Sequence, residues 1–215
     1  MDDDQRTARA ERADERRQMV ERQLRRRDVG DERVLRAMTR VPRHAFVPAT
    51  VAARAYDDRP LPIGHDVTIS QPYVVALMAQ ALRVQPTDRA LEVGTGSGYG
   101  AAVLADLAAH VTTIETIAAH ASAARDRLER LVRADRIAVV HGDGAAGHPP
   151  GAPYDVISVT AAAPEIPAAL LDQLAPGGRL VMPVGDGPEE LTLVERTRDG
   201  DVRRSLGGVR FVPLT

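Results

Sequence analysis

Leu91-Glu-Val-Gly-Thr-Gly-Ser-Gly-Tyr-Gly100 reads as a strand that breaks into a glycine loop and opens a helix. The strand is the apolar run Ala90 to Val93, and the alanine- and leucine-rich run Ala101 to Ala108 favours helix. Glycines 94, 96 and 98 let the backbone turn sharply and bring its N–H groups close to a ligand, which points to a nucleotide-type cofactor. A dinucleotide fingerprint needs G-x-G-x-x-G; counting from Gly94 and Gly96 puts Tyr99 in the third place, which disfavours a nicotinamide enzyme. A second acid raises the signal: Val111-Thr-Thr-Ile-Glu115 is a β-branched strand ending in a carboxylate 21 residues after Gly94. An acid at a strand end at about that distance suits a bidentate hydrogen bond to a ribose diol.

Outward from this motif, strands and helices alternate. The patterns predict strands over 90–93, 111–115, 137–141, 154–160 and 179–184, with helices over 98–109, 117–132 and around 166–174 between them. Such alternation implies right-handed crossovers and a doubly wound α/β fold with a mostly parallel sheet. Two more strand-like stretches, 191–196 and 202–212, predict an antiparallel hairpin through Asp199-Gly200 and bring the sheet to seven strands. In such a sheet ligands sit beyond the carboxyl ends of the strands, where Glu92, Glu115 and Asp143 all fall.

Upstream lies a helical elaboration over 14–82, and 83–215 forms the cofactor-binding core of the same single domain. The first 13 residues are charged and poor in apolar side chains, so a disordered start is expected. Met19, Val20 and Leu24 give a helix over 13–27 its apolar face, and the run Arg25 to Arg27 reads as its solvated side. Asp31 can cap a second helix that stops before Val41-Pro42, a loop-rich stretch runs to Gly64, and Tyr73 to Leu82 again looks helical.

Composition bounds the alternatives. The 215 residues suit one domain with a sizeable core, and a net charge of -2 gives no general attraction to nucleic acid. No apolar run of about 18 residues and no signal-peptide pattern is present, so a soluble, cytoplasmic protein without membrane partners is expected. Cysteine is absent, which removes disulfides, thiolate metal sites and a cysteine nucleophile, and the six histidines lack metal-ligand spacing, so no metal is expected. All 28 basic residues are arginine, and asparagine is missing too, a codon bias from which no function follows.

The acid followed by alternate glycines resembles the first motif of class I S-adenosylmethionine methyltransferases, whose fold is Rossmann-like. Ile69-Ser-Gln-Pro-Tyr73, Thr160-Ala-Ala-Ala-Pro164, Pro176-Gly-Gly-Arg-Leu180 and the terminal Val209-Arg-Phe-Val-Pro-Leu214 are similar to protein-L-isoaspartate O-methyltransferases. So are Met19-Val-Glu-Arg-Gln-Leu24, Asp31-Glu-Arg-Val-Leu35 and Val41-Pro-Arg-His-Ala-Phe-Val-Pro48, so the resemblance covers nearly everything after Asp14. It implies methyl transfer from S-adenosyl-L-methionine to the free α-carboxylate of L-isoaspartyl residues in damaged proteins or peptides. The ester then closes to a succinimide whose hydrolysis restores part of the aspartate.

The same resemblance places Ser70 at the reacting carboxylate as the catalytic contact; a helix cap before Pro72 is the plain structural alternative. Thr68, Ile69, Ser70 and Gln71 then border the cofactor's methionine end. Glu92 anchors the loop of Gly94, Thr95, Gly96 and Gly98 and the cofactor's amino end, and Glu115 takes the ribose. Asp143-Gly144 lies near the adenine, where an ordinary Asp-Gly turn is the rival reading, and Thr215 lies beside the cofactor. Val209, Phe211 and Val212 belong to a segment that can pair with a substrate peptide as an added strand, or else serve as a core strand. A monomer is implied.

His65-Asp66-Val67 departs from the family pattern of a glycine and a polar residue. The carboxylate of Asp66 therefore keeps a rival open, a pathway-specific peptide aspartate O-methyltransferase acting on a ribosomally made peptide. A noncatalytic cofactor-binding protein is the alternative of another class. A nucleic-acid methyltransferase is disfavoured by the lack of an Asn-Pro-Pro-aromatic motif and of a basic balance.

Overall fold

The computed structural model describes residues 3–132 and 134–215. A helix α1 (Asp3–Ala10) lies where the composition predicts an unstructured start, and it rests against α6. Helix α2 (Ala13–Met19) runs on as a π-helical turn over Val20–Leu24 that buries Val20 and Leu24. Helix α3 (Glu32–Arg40) begins where Asp31 accepts hydrogen bonds from the N–H groups of Arg33 and Val34. It ends at Val41, which is forced into extended geometry by Pro42.

The stretch expected to be loop holds a small hairpin, β1 (Leu61–Gly64) and β2 (Val67–Ile69). Its turn residues His65 and Asp66 both take left-handed backbone angles, φ 51° and 57°. Hairpin turns of that kind usually carry Asn-Gly, so His-Asp gives no sequence signal. Helix α4 (Pro72–Ala81) follows.

The core alternates as expected: β3 (Arg89–Val93), α5 (Tyr99–Leu107), β4 (His110–Glu115), α6 (Ala118–Leu131), β5 (Ile137–His141), β6 (Tyr154–Val159), α7 (Ala168–Asp172), β7 (Leu174–Val184), β8 (Glu189–Thr197) and β9 (Gly200–Val209). The seven strands lie in the order β5-β4-β3-β6-β7-β8-β9, parallel from β5 to β7 and antiparallel from there to β9. Chain order runs from β3 outward to β5, then returns to the other side of β3 as β6. The end of β3 is therefore the switch point where crossovers diverge and a crevice opens. The glycine loop stands there. No helix among the described residues is long and apolar enough to cross a membrane.

Two boundaries differ from the pattern. Helix α7 is confined to five residues between Pro167 and Gln173, and β7 begins at Leu174. Gln173 explains the early stop, because its amide donates to the Ala146 and Ala169 carbonyls and accepts from the His148 N–H. Strand β9 stops at Val209 and not at 212, after a register break opposite Glu190 and Thr192. The tail then leaves the sheet edge: Phe211 donates its N–H to Glu189, while the Val212 carbonyl and Leu214 N–H bond Ala162 at 2.8 and 2.7 Å. The terminal segment thus is not a free edge strand.

Apolar side chains fill both faces of the sheet. Met19, Leu24, Leu35, Met38, Phe46, Leu82 and Tyr99 join the elaboration to the face that carries α5. Leu91, Val93, Ile114, Ile157, Val159, Leu170 and Leu180 fill the other. Gly98 connects loop to packing. It caps α5 at φ 88°, and a Cβ there would lie 3.2 Å from Leu128 on α6. We expect Gly98→Ala to cost about 1–2 kcal/mol from the left-handed angle. The melting temperature should fall by several degrees at this chain length; an unchanged melt would contradict the packing assigned to this turn.

Candidate active site

A cavity of about 760 Å³ opens over the carboxyl ends of β3 and β4. One wall is the glycine loop from Glu92 to Ser97, the stretch Ile114 to Ile117, Gly144 and Thr160. The facing wall comes from the β1–β2 hairpin and its exit, the first turns of α4, and the tail from Leu206 to Thr215.

Glu92 belongs to the loop wall and is 2 % exposed. Its position in β3 lies opposite Thr113 of β4 in the parallel register. Thr113 donates to Glu92 Oε2 at 2.6 Å, which leaves Thr95 to donate to Thr113 at 2.7 Å. The other carboxyl oxygen lies where a side chain at position 100 would be, 2.2 Å from the site of a Cβ on Gly100. The last glycine of the motif therefore makes room for the acid eight positions earlier. Burial pushes the Glu92 carboxyl up to about 8, the Thr113 hydrogen bond opposes the rise, and Glu115 adds to it.

Glu115 is also buried, 6 % exposed, and it ties strand to loop. One carboxylate oxygen accepts from Gly96 N–H at 2.7 Å and the other from Ile117 N–H at 2.9 Å. A carboxylate offers about four acceptor sites, so each oxygen keeps one lone pair for a ligand hydroxyl.

Thr160 had no assigned role in the sequence, yet it holds the loop from the far side. Its hydroxyl lies 3.1 Å from the Val93 carbonyl and donates to the Gly94 carbonyl at 2.8 Å. Its neighbour Ala162 receives the tail, so Thr160 to Ala162 is shared by both walls.

On the facing wall Ser70 is half-buried and lines the cavity. The cap position of α4 belongs to Gln71, which makes no side-chain capping bond. Ser70 is therefore no helix cap, and its hydroxyl has no partner among the described residues. Tyr73, three positions on, donates its hydroxyl to Asp28 at 2.6 Å, and the Arg27 guanidinium lies over its ring, 3.3 Å from the centroid. Arg27 is exposed, as are Arg25 and Arg26, so the run keeps to the solvated face expected of 25–27, with Arg25 paired with Glu21 and Glu32.

The fold gathers Thr68, Ile69, Ser70, Gln71, Glu92, Gly94, Thr95, Gly96, Glu115, Gly144, Val209, Phe211, Val212 and Thr215 around the one cavity. Gly98 and Asp143 lie outside the lining: Gly98 faces Leu128, and exposed Asp143 accepts from Ala145 N–H at 2.8 Å to fix the turn that carries Gly144. Thr113, Thr160, Arg27 and Arg210 were not among the sequence candidates. Thr113 was in principle recoverable, since a polar residue paired with a buried acid across β3 and β4 is a register signal.

Comparison with known proteins gives a consistent picture. The family model described as protein-L-isoaspartate(D-aspartate) O-methyltransferase matches residues 14–215. A protein-L-isoaspartate O-methyltransferase of Methanoculleus marisnigri is 55 % identical over 201 residues, 93 % of this chain and 91 % of the relative. One from Rhodopseudomonas palustris is 52 % identical over 199 residues, 91 % of each chain. A Plasmodium falciparum structure described as a protein-L-isoaspartate O-methyltransferase in complex with S-adenosyl-L-homocysteine superposes with a TM-score of 0.81 at 26 % identity, covering 93 % of this chain and 98 % of that one.

The raised Glu92 carboxyl sets a pH dependence of stability. Between its ordinary value of 4.5 and about 8 the folded chain holds a proton that the unfolded chain has lost, so stability falls as pH rises through that window. One such group contributes a slope of about 1.4 kcal/mol per pH unit. In ligand-free protein, Glu92→Gln should gain on wild type steadily with rising pH in urea unfolding. A difference that stays flat across the window would refute the protonated carboxyl.

Proposed function

The chain belongs to the protein-L-isoaspartate(D-aspartate) O-methyltransferase family, and from that premise we propose that it methylates the free α-carboxylate of L-isoaspartyl residues in damaged proteins and peptides with S-adenosyl-L-methionine as donor. The observation that carries the reading is the partnerless hydroxyl of Ser70 facing two buried strand-end acids across one cavity.

The cavity suits the donor. Its volume falls within the range of about 300–1,000 Å³ usual for cofactor and ligand sites. Each Glu115 oxygen keeps a lone pair for a ribose hydroxyl, and Gly144 and Ile117 offer small or apolar surface to an adenine. The proton held by buried Glu92 leaves when a cation arrives, so this carboxyl matches the donor's positively charged end. When bound, S-adenosylmethionine supplies an electrophilic methyl group on a sulfonium.

What the chain's residues do is positional. A carboxylate substrate is already ionised near neutral pH, so no strong general base is needed. Ser70 donates a hydrogen bond to one carboxylate oxygen and so aims the other. Val209, Phe211 and Val212 border the peptide, with pairing limited to backbone groups that Ala162 and Glu189 leave free. Tail and hairpin close the space against water, and alignment with desolvation supplies the acceleration.

A labelled-methyl assay on paired isoaspartyl and aspartyl peptides tests this directly. Turnover is expected on the isoaspartyl member alone, and equal turnover of both would overturn the reading in favour of a peptide aspartate methyltransferase. Ser70→Ala should lower kcat roughly tenfold or more with little change in the donor's KM, the effect of a hydrogen bond to a charged group worth about 1.5–3 kcal/mol. Glu115→Ala should raise the donor's KM by a similar factor. Donor affinity should rise with pH to about 8 and level off above, because Glu92 must ionise. Calorimetry near neutral pH in buffers of different ionisation heat should detect a released proton; none released would detach Glu92 from donor binding.

A further inference from the structure

We propose that this protein selects isoaspartyl sites with acidic sequence neighbours, through Arg27 and Arg210 at the peptide side of the cavity; the proposal rests on the isoaspartyl reading above. The charged residues that line the cavity divide by element. Glu92 and Glu115 come from the strand ends and Asp66 from the hairpin turn, whose His65 leans on His120 of α6. The lining residues contributed by the N-terminal elaboration outside that turn, by α4 and by the tail include two charged side chains, and both are arginines.

Arg27 is held in place. Its guanidinium lies over the Tyr73 ring and bonds Asp58 at 3.1 Å through one terminal nitrogen, while Asp28 fixes the Tyr73 hydroxyl. Asp28 and Asp58 are not among the residues that line the cavity. A guanidinium has five donors in a fixed fork, and most of them remain for a second carboxylate. Arg210 reaches the cavity from the tail; it is exposed and has no ion-pair partner among the described residues. Glu189, which pairs with Val209 across the ladder, turns its carboxylate to the Phe211 N–H instead.

Ser70 lines the same cavity as these two cations, and it stands three positions before Tyr73, whose ring carries the Arg27 guanidinium. On the proposal, a peptide whose reacting carboxylate meets Ser70 brings its neighbouring residues within reach of Arg27 and Arg210. Acidic neighbours meet a counter-charge there. Lysine neighbours meet like charge. Both arginines are partly solvated, so the effect of each is modest and sensitive to salt.

Three isoaspartyl peptides that differ only in Gln, Glu or Lys beside the damaged residue provide the test, with wild type, Arg210→Gln, Arg27→Gln and the double variant. In wild type at low salt, kcat/KM for the Glu peptide should exceed that for the Lys peptide by roughly tenfold, carried by KM, and the ratio should shrink near 0.5 M salt. Each single variant should lower the ratio severalfold, and the double variant should bring it to about one. Arg210 is exposed, so its variant keeps the test open even if the Arg27 change disturbs packing. Equal rates across the series, a preference for Lys, or a Glu preference that survives the double variant would overturn the proposal. Failure of wild type to methylate the Gln peptide at all would instead sink the isoaspartyl reading beneath it.

Discussion

Two carboxyl groups buried side by side at the tips of adjacent parallel strands are the constraint around which the site is arranged. A carboxyl taken out of water is costly unless its oxygens are answered, and two near one another are costlier still. Glu115 is answered by backbone N–H groups of the loop and of the start of α6. Glu92 is answered by a threonine relay and by holding its proton. The glycine loop is thus fixed by the acids as much as the acids are placed by the loop. With one lone pair left on each Glu115 oxygen and a proton held on Glu92, the two acids suit hydroxyls and positive charge.

The fold was largely legible because its signals are local. Strand, glycine loop, helix and strand-end acid occur within 25 residues, from Leu91 to Glu115, and each has its own pattern. What was not legible depends on register or on distant contact. Thr113 matters because the parallel pairing sets it opposite Glu92, and Thr160 because β6 returns to the far side of β3. The hairpin at 61–69 escaped notice because His65-Asp66 takes a turn conformation that glycine and asparagine usually announce. Arg27 is solvated as read with Arg25, but the chain has left the helix by then, and its contact with Tyr73 of α4 gives no local signal.

Local pattern also overran its limits at the C-terminal end. Alternating residues continue through Val212, which favours a strand, but the register break before Val209 turns the chain back toward the sheet's centre. There Ala162 takes the hydrogen bonds that an edge strand would have offered to a peptide. On the proposed function, substrate recognition by backbone pairing is accordingly narrower than free-edge addition would allow, and side chains at the rim gain weight in choosing among peptides.

This rerouting has a consequence for how the two walls depend on each other. Thr160 bonds the first glycine's carbonyl, and two residues later Ala162 bonds the tail on both of its backbone groups. A single short segment therefore fixes both the glycine loop and the tail, the walls that the proposed function gives to donor and peptide. Proximity catalysis tolerates little error, since displacements on the order of 1 Å between reacting groups can cost about a hundredfold in rate. Were the tail fastened only to β9, its position would follow the outermost strand of the sheet, four strands from β3. Fastened to the residues after β6, it follows the strand next to the glycine loop, and on the proposed function the distance from donor to acceptor is set across one strand spacing of about 4.8 Å instead of several.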